Sequence, residues 1–328
     1  MKGIYIETKY GLLLALMCFY TKKDESIYFI NEELERSINL KDIKVIYLKN
    51  FENRKGIIRK YYKWKFNNEL LTKLNEIDEM YLQDHVSYGQ FFLNNFNGKI
   101  NLLEDGVMNY NEKLLQNEYT RKLRNFRVNN YLKKVIIEKR RTDYRKFGLS
   151  EKIEKIYLTG ILPIPELIRN KVEIINIKKL WRDLSQKHKE EILEVFNLNL
   201  DKLQQYNIIS GKKLLLTQPL SEDKIITEQE KIDIYREILL KENGKNIYIK
   251  AHPREKTNYK EVFKEFNINI IENSFPIEIC LLLDIEFEKV ITLFSTGALS
   301  FKGKSEVEFI GTEKYPKLYE KFGKITID

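Results

Sequence analysis

Short apolar runs alternate along the chain with longer stretches in which apolar residues recur every three or four positions. Residues 3–6, 26–30, 45–48, 79–82, 99–103, 155–159 and 172–177 are rich in Ile, Val, Leu and Tyr, which is strand composition. Residues 12–20 and 121–139 read as helices between them. Residues 181–207 are polar and helix-rich, without strand character. A second strand series then runs through 212–217, 246–251, 267–271 and 289–294. Within it, Thr227 and Glu230 have the spacing of a capping box, opening a helix to about Glu242 that Gly244 ends. Strands alternating with helices predict an α/β protein with parallel sheets. The break predicts a first domain over 1–180, a helical connector over 181–210 and a second domain over 211–328.

Composition narrows the class. The 328 residues are 43% hydrophobic and 32% charged, enough for two cores and too apolar for a disordered chain. Cys18 and Cys280 are too few for a disulfide framework or a Cys-rich zinc site. No run approaches the roughly 20 apolar residues that span a bilayer, and no cleavage site follows the apolar residues 11–20. A cytoplasmic protein starting at Met1 is the expectation.

Charge adds a local feature. The net charge is +9, and residues 121–146 hold eleven Lys or Arg against Glu138 and Asp143, an excess of nine. A second basic cluster, rich in aromatics, runs from Arg59 to Phe66. Such stretches suit anionic lipid, phosphorylated glycan or nucleic acid. No nucleic-acid-binding signature accompanies them, so nucleic acid is not expected as a partner.

Three motifs sit where strands should end. His252-Pro253-Arg254 closes the 246–251 run, because Pro253 cannot donate to a ladder. The crevice outside the carboxyl ends of strands is where open α/β sheets bind ligands. His85 and His188 are read as lacking such a setting, and His85 is given no role. Glu104-Asp105-Gly106 follows the 99–103 run and offers a carboxylate as a general base. Phe294-Ser295-Thr296-Gly297-Ala298-Leu299 carries a strand into hydroxyls, a small residue and a helix start, a composition suited to phosphate.

In their order and rough spacing these motifs resemble those of bacterial sialyltransferases, most of all the lipooligosaccharide sialyltransferases of glycosyltransferase family 52. Asn273-Ser274-Phe275-Pro276-Ile277-Glu278 also resembles the family segment whose acid holds the nucleotide ribose. The resemblance implies a GT-B-like fold, with two Rossmann-type domains facing a central cleft. It implies inverting transfer of sialic acid from CMP-sialic acid to a terminal sugar, often galactose, of a surface glycan such as lipooligosaccharide or capsule. No metal or other cofactor is implied. His252 would protonate or hydrogen-bond the leaving phosphate. Pro253, Arg254, Ile277, Glu278, Ser295, Thr296, Gly297, Gln218 and Pro219 would contact the CMP-sugar, with Glu104 and Gly106 on the acceptor side.

The resemblance leaves the base open. Several sialyltransferase families use the acid before glycine, here Asp105. The closest branch uses the loop after the first strand of the nucleotide domain, here residues 217–223, which is longer in this chain; Asp223 is preferred there to Glu222. Also open are a lipid-linked acceptor, peripheral contact with the inner face of the cell membrane, and a homodimer. Some relatives carry an N-terminal membrane anchor that this sequence does not show. The alternatives are a transferase of the same fold using another nucleotide sugar, and a non-catalytic binder of anionic polymer.

Overall fold

Each apolar run forms a strand in the computed structural model, which describes residues 1–51, 53, 55–125, 145–199 and 211–325. Strands β1 (Lys2–Ile6), β2 (Ser26–Asn31), β3 (Val45–Leu48), β4 (Glu79–Leu82), β5 (Lys99–Leu103), β6 (Ile153–Leu158) and β7 (Val172–Ile174) build one sheet. Its order is β3-β2-β1-β4-β5-β6-β7, and every pairing is parallel. Strands β8 (Lys213–Leu216), β9 (Lys245–Lys250), β10 (Asn267–Ile271), β11 (Lys289–Thr292) and β12 (Glu306–Phe309) build the other. It is parallel throughout, in the order β10-β9-β8-β11-β12. Both sheets are doubly wound. Their strand order reverses between β1 and β4 in one and between β8 and β11 in the other, and those are the points where such sheets leave a crevice.

Strand β12 was not expected from the sequence. Its Glu-Val-Glu-Phe pattern hides an edge strand whose acids pair with neighbouring lysines: Lys289 Nζ lies 2.7 Å from Glu308 and 3.4 Å from Glu306. An edge strand has one unpaired side, where charged side chains are favoured over apolar ones.

The compact units divide at Val195/Phe196, whereas the sequence places a connector over 181–210. Helices Ile177–Asp183 and Gln186–Val195 belong to the first unit. The reason lies in α1 (Lys9–Phe19), which buries residues almost all round its circumference. A helix apolar on every side needs cover on both faces. The sheet covers one, and the two helices pack on the other, with Trp181 buried and His188 edge-on to Tyr20. The Asn39 N–H donates to the Val195 carbonyl at 2.7 Å. The capping box at Thr227 forms, and its helix spans Glu228–Lys241. Of the basic stretch 121–146, residues 126–144 lie outside the described residues.

Helix Ser87–Asn95 presses its first turn against the loop after β4, and Gly89 makes that approach possible. A Cβ at Gly89 would stand 1.9 Å from the Gln83 carbonyl oxygen and 3.1 Å from Asp84 Cα. Both are backbone atoms that cannot rotate away. Gly89→Ala is therefore expected to destabilise the protein by about 1–3 kcal/mol through overpacking. Urea denaturation checks this, and an unchanged midpoint would refute the close approach.

Candidate active site

In the first unit, four neighbouring strand ends converge. Strand β1 runs into Glu7 and Thr8, β4 into Gln83, Asp84 and His85, β5 into Glu104 and Asp105, and β6 into Thr159. Thr8 is the N-cap of α1: its hydroxyl accepts from the Gly11 N–H and donates to Asp105 Oδ1 at 3.0 Å. The Glu7 N–H donates to Gln83 Oε1 at 3.0 Å, across the point where strand order reverses. His85 Nε2 lies 3.2 Å from Asp105 Oδ2, and its ring stacks on Phe147. Burial dominates both members of this pair. It pushes the Asp105 carboxyl above and the His85 imidazole below their ordinary values, each partly offset by the other.

The neighbouring acids are structural. Glu104 is completely buried, and its oxygens accept from Tyr10, Tyr110, the Thr159 hydroxyl and the Thr159 N–H at 2.5–2.9 Å. It thus braces the loop that carries Asp105 and has no face for a ligand. Asp84 accepts the Phe147 and Gly148 N–H groups at 2.7 and 2.8 Å, yet burial still pushes its carboxyl up to about 6. Gly106 sits at a φ of 62°, a left-handed turn that glycine enters without strain.

In the second unit, β8, β9 and β11 bring their carboxyl ends side by side. Since β9 and β11 flank β8, those two ends are about 10 Å apart. His252 lies just past β9. Its Nδ1 accepts the Arg254 N–H at 3.2 Å, which leaves the ring proton on Nε2. Burial, then the Arg254 charge, lowers its pKa to about 4. Arg254 is ion-paired to both oxygens of Asp223. Past β11, the Ser295 N–H donates to Thr292, and the hydroxyls of Ser295 and Thr296 have no protein partner among the described residues. A Cβ on Gly297 would come within 3.1 Å of Ile277 and 3.8 Å of Leu216. That tight contact seats the Ile277-Glu278 segment against the turn after β11. Gln218 and Pro219 belong to the loop after β8, where the Gln218 N–H donates to the Tyr235 hydroxyl at 2.7 Å.

A buried cation ties these loops down. The Lys231 ammonium, fully enclosed on the helix Glu228–Lys241, lies 2.9 Å from Glu222, 3.1 Å from Glu228 and 3.8 Å from Glu255. Glu222 in turn accepts the Lys256 N–H at 2.8 Å, and Glu255 accepts the His252 N–H and the Thr217 hydroxyl at 2.6 Å each. The loops after β8 and β9 are thus locked to one another around His252. Removing one partner of such a buried pair typically costs about 3–5 kcal/mol.

The sequence reading therefore needs correction at two residues: Glu104, expected on the acceptor side, is enclosed by its own hydrogen bonds, and His85 was given no role. His85 does have a strand-end setting, three residues beyond Leu82, and it stands against the candidate base. The same logic that selects His252 selects it, once β4 is known to neighbour β5. Thr8 was likewise missed, because its partner Asp105 is 97 positions away, and so were Glu255 and Lys231, whose contact with one another joins separate elements. Among the described residues, no cluster of three or more His, Cys, Asp or Glu is arranged to hold a metal. No described helix is long and apolar enough to cross a membrane.

The sequence model of glycosyltransferase family 52 matches residues 14–312. An uncharacterised protein of Haemophilus influenzae is 34% identical over 337 residues, covering 99% of each chain. Among solved structures, an α/β-galactoside α-2,3-sialyltransferase of Photobacterium phosphoreum superposes with a TM-score of 0.63 at 15% identity, over 97% of this chain and 94% of its own. A 2,6-sialyltransferase of Photobacterium sp. JT-ISH-224, solved with CMP and lactose, gives 0.62 at 13% identity, over 94% and 70%. The shared fold is GT-B-like.

The buried setting of His252 has a titration consequence. The unfolded chain takes up a proton near 6.5, which the folded ring refuses until about 4. The stability contributed by the neutral ring is complete above about pH 6.5 and is lost as the pH falls towards 4. NMR titration of the His252 ring is expected to give a midpoint near 4, and Arg254→Ala to raise it. A midpoint at the ordinary value in the unmodified protein would contradict the buried setting.

Proposed function

Because the chain belongs to glycosyltransferase family 52, we propose that it is an inverting, metal-independent sialyltransferase. It would move sialic acid from CMP-sialic acid to a terminal sugar, galactose by preference, of a surface glycan. The observation that carries this reading is the second-unit donor set: the Nε2–H of His252 and the free hydroxyls of Ser295 and Thr296, on strand ends flanking β8. Such preorganised donors suit a phosphate that gains charge as it leaves. The solved 2,6-sialyltransferase that shares the fold was captured with CMP and lactose, a donor product and an acceptor of these classes.

In the proposed reaction an acceptor hydroxyl oxygen attacks the anomeric carbon of sialic acid, and the bond from that carbon to the CMP phosphate oxygen breaks. The acceptor proton passes to a carboxylate. Asp105 is the better candidate for this role. Burial raises its proton affinity, and His85 and Thr8 hold its two oxygens in place. Asp223 has both oxygens committed to Arg254. The leaving phosphate takes a hydrogen bond from the Nε2–H of the neutral His252 ring, and its growing charge is shared with the Ser295 and Thr296 hydroxyls. His252, Ser295 and Thr296 would thus hold the phosphate of the CMP-sugar, and Glu278 would meet its ribose.

CMP release with a panel of galactosides tests the assignment. Turnover of a UDP- or GDP-sugar, with no CMP release, would replace it by a transferase of different donor. Chelation by EDTA is expected to leave the rate unchanged. His252→Ala should lower kcat by about 10²–10³, the usual worth of one preorganised hydrogen-bond donor to developing charge. A kcat within a few-fold of the unmodified enzyme would remove His252 from the chemistry. Asp105→Asn should show a loss of the same order while Asp223→Asn costs much less; the reverse order would move the base to the loop after β8. His85→Ala should alter the pH dependence of kcat rather than KM, since the ring touches the base.

A further inference from the structure

Helix α2 (Gly56–Leu74) carries two apolar faces, and only one of them is used. Phe66, Leu70 and Leu74 recur every four residues and are buried against the first sheet. Ile57 stands nine positions before Phe66, two and a half turns away, and so on the opposite side. Tyr61 and Trp64 continue that side at helical spacing, and Ile58 adjoins it. Their exposures are 84% for Ile57, 61% for Ile58, 56% for Tyr61 and 63% for Trp64. The rings of Tyr61 and Trp64 lie 6.3 Å apart, which makes one continuous surface. Isolated exposed hydrophobes are ordinary, but a contiguous stripe of this kind marks an interaction site.

The surrounding charge identifies the partner. Lys55, Arg59, Lys60, Lys63 and Lys65 are exposed around the stripe, and no acid occurs between Gly56 and Asn68. We propose that the first half of α2 is a docking surface for an anionic phospholipid bilayer, lying in the interface with Ile57, Tyr61 and Trp64 inserted and the lysines on headgroups. Both halves of its chemistry are satisfied only there. Tyr and Trp favour the headgroup level, where one end of the ring is wet and the other apolar. Basic residues gain from the negative surface potential. A second copy of this chain in a two-fold contact would bring like charges together. A nucleic acid would satisfy the cations and leave Ile57 and Ile58 in water. The surface fits an enzyme whose acceptor is anchored in a membrane, but it stands on the helix alone and does not need the sialyltransferase reading.

Vesicle flotation of the full chain tests it, because flotation requires no turnover. The protein is expected to float with vesicles of phosphatidylglycerol mixed with phosphatidylcholine and not with pure phosphatidylcholine. Lys60→Gln/Lys63→Gln should weaken binding by about thirtyfold, since each cation near an anionic surface is worth about fivefold. Ile57→Ser/Trp64→Ser should weaken it by about tenfold or more through lost apolar burial. Neither variant should change the thermal midpoint or CMP release on a soluble galactoside. Brominated lipid should quench Trp64, and Trp64→Phe should abolish that quenching, because Trp181 is buried. Flotation of Ile57→Ser/Trp64→Ser equal to the unmodified chain would overturn the proposal. So would equal binding to neutral vesicles, or binding to an oligonucleotide in place of vesicles.

Discussion

Parallel strands cannot be joined by tight turns. Each must be followed by a crossover that carries the chain back to the start of the sheet. In this protein every strand pairing in both sheets is parallel. All loops leaving the strands therefore gather on one edge of each sheet, and the polar chemistry of each unit is concentrated there. The remaining edge carries returning chain and no candidate residue. Everything proposed for catalysis follows from that single topological constraint.

Gathering polar loops on an edge creates its own electrostatic problem, which each unit solves with a buried ion. Glu104 is enclosed with hydroxyl and N–H donors on both oxygens, so its charge is dispersed without a cation. Lys231 is enclosed by three carboxylates that belong to or contact the loops after β8 and β9. Neither ion faces outward. Their role is to hold neighbouring groups at fixed positions: Asp105 beside Glu104, and His252 through Glu255. A rigid surround of this kind keeps an active group aimed before substrate arrives, so the cost of ordering is met in folding.

The same setting explains the protonation states. Burial raises Asp105 and lowers both His85 and His252, so each group is pushed towards its neutral form. A carboxylate with raised proton affinity is better fitted to accept a proton. An imidazole kept neutral, with Nδ1 accepting the Arg254 N–H, presents its Nε2–H as a fixed hydrogen-bond donor. Outside these edges, the first half of α2 presents a surface governed by different forces, apolar insertion together with long-range attraction that fades over about 8 Å at physiological salt.

The sequence by itself determined the elements and the chemistry at their ends. Strand runs, the capping box at Thr227 and the stop at Pro253 are local effects, set by side-chain shape and by missing or spare backbone donors. They placed His252, Ser295 and Asp105 at strand ends without reference to the rest of the chain. Tertiary structure alone decided which ends are neighbours. Strand order in a parallel sheet depends on which crossover packs where, and no local pattern encodes it. His85 became a partner of Asp105 only because β4 lies beside β5, and Thr8 joined them because β1 lies on the other side of β4. Likewise β12 was hidden, since the lysine that pairs with its glutamates, Lys289, lies on another strand. Residues from 181 read as the start of a connector until the second face of α1 required cover.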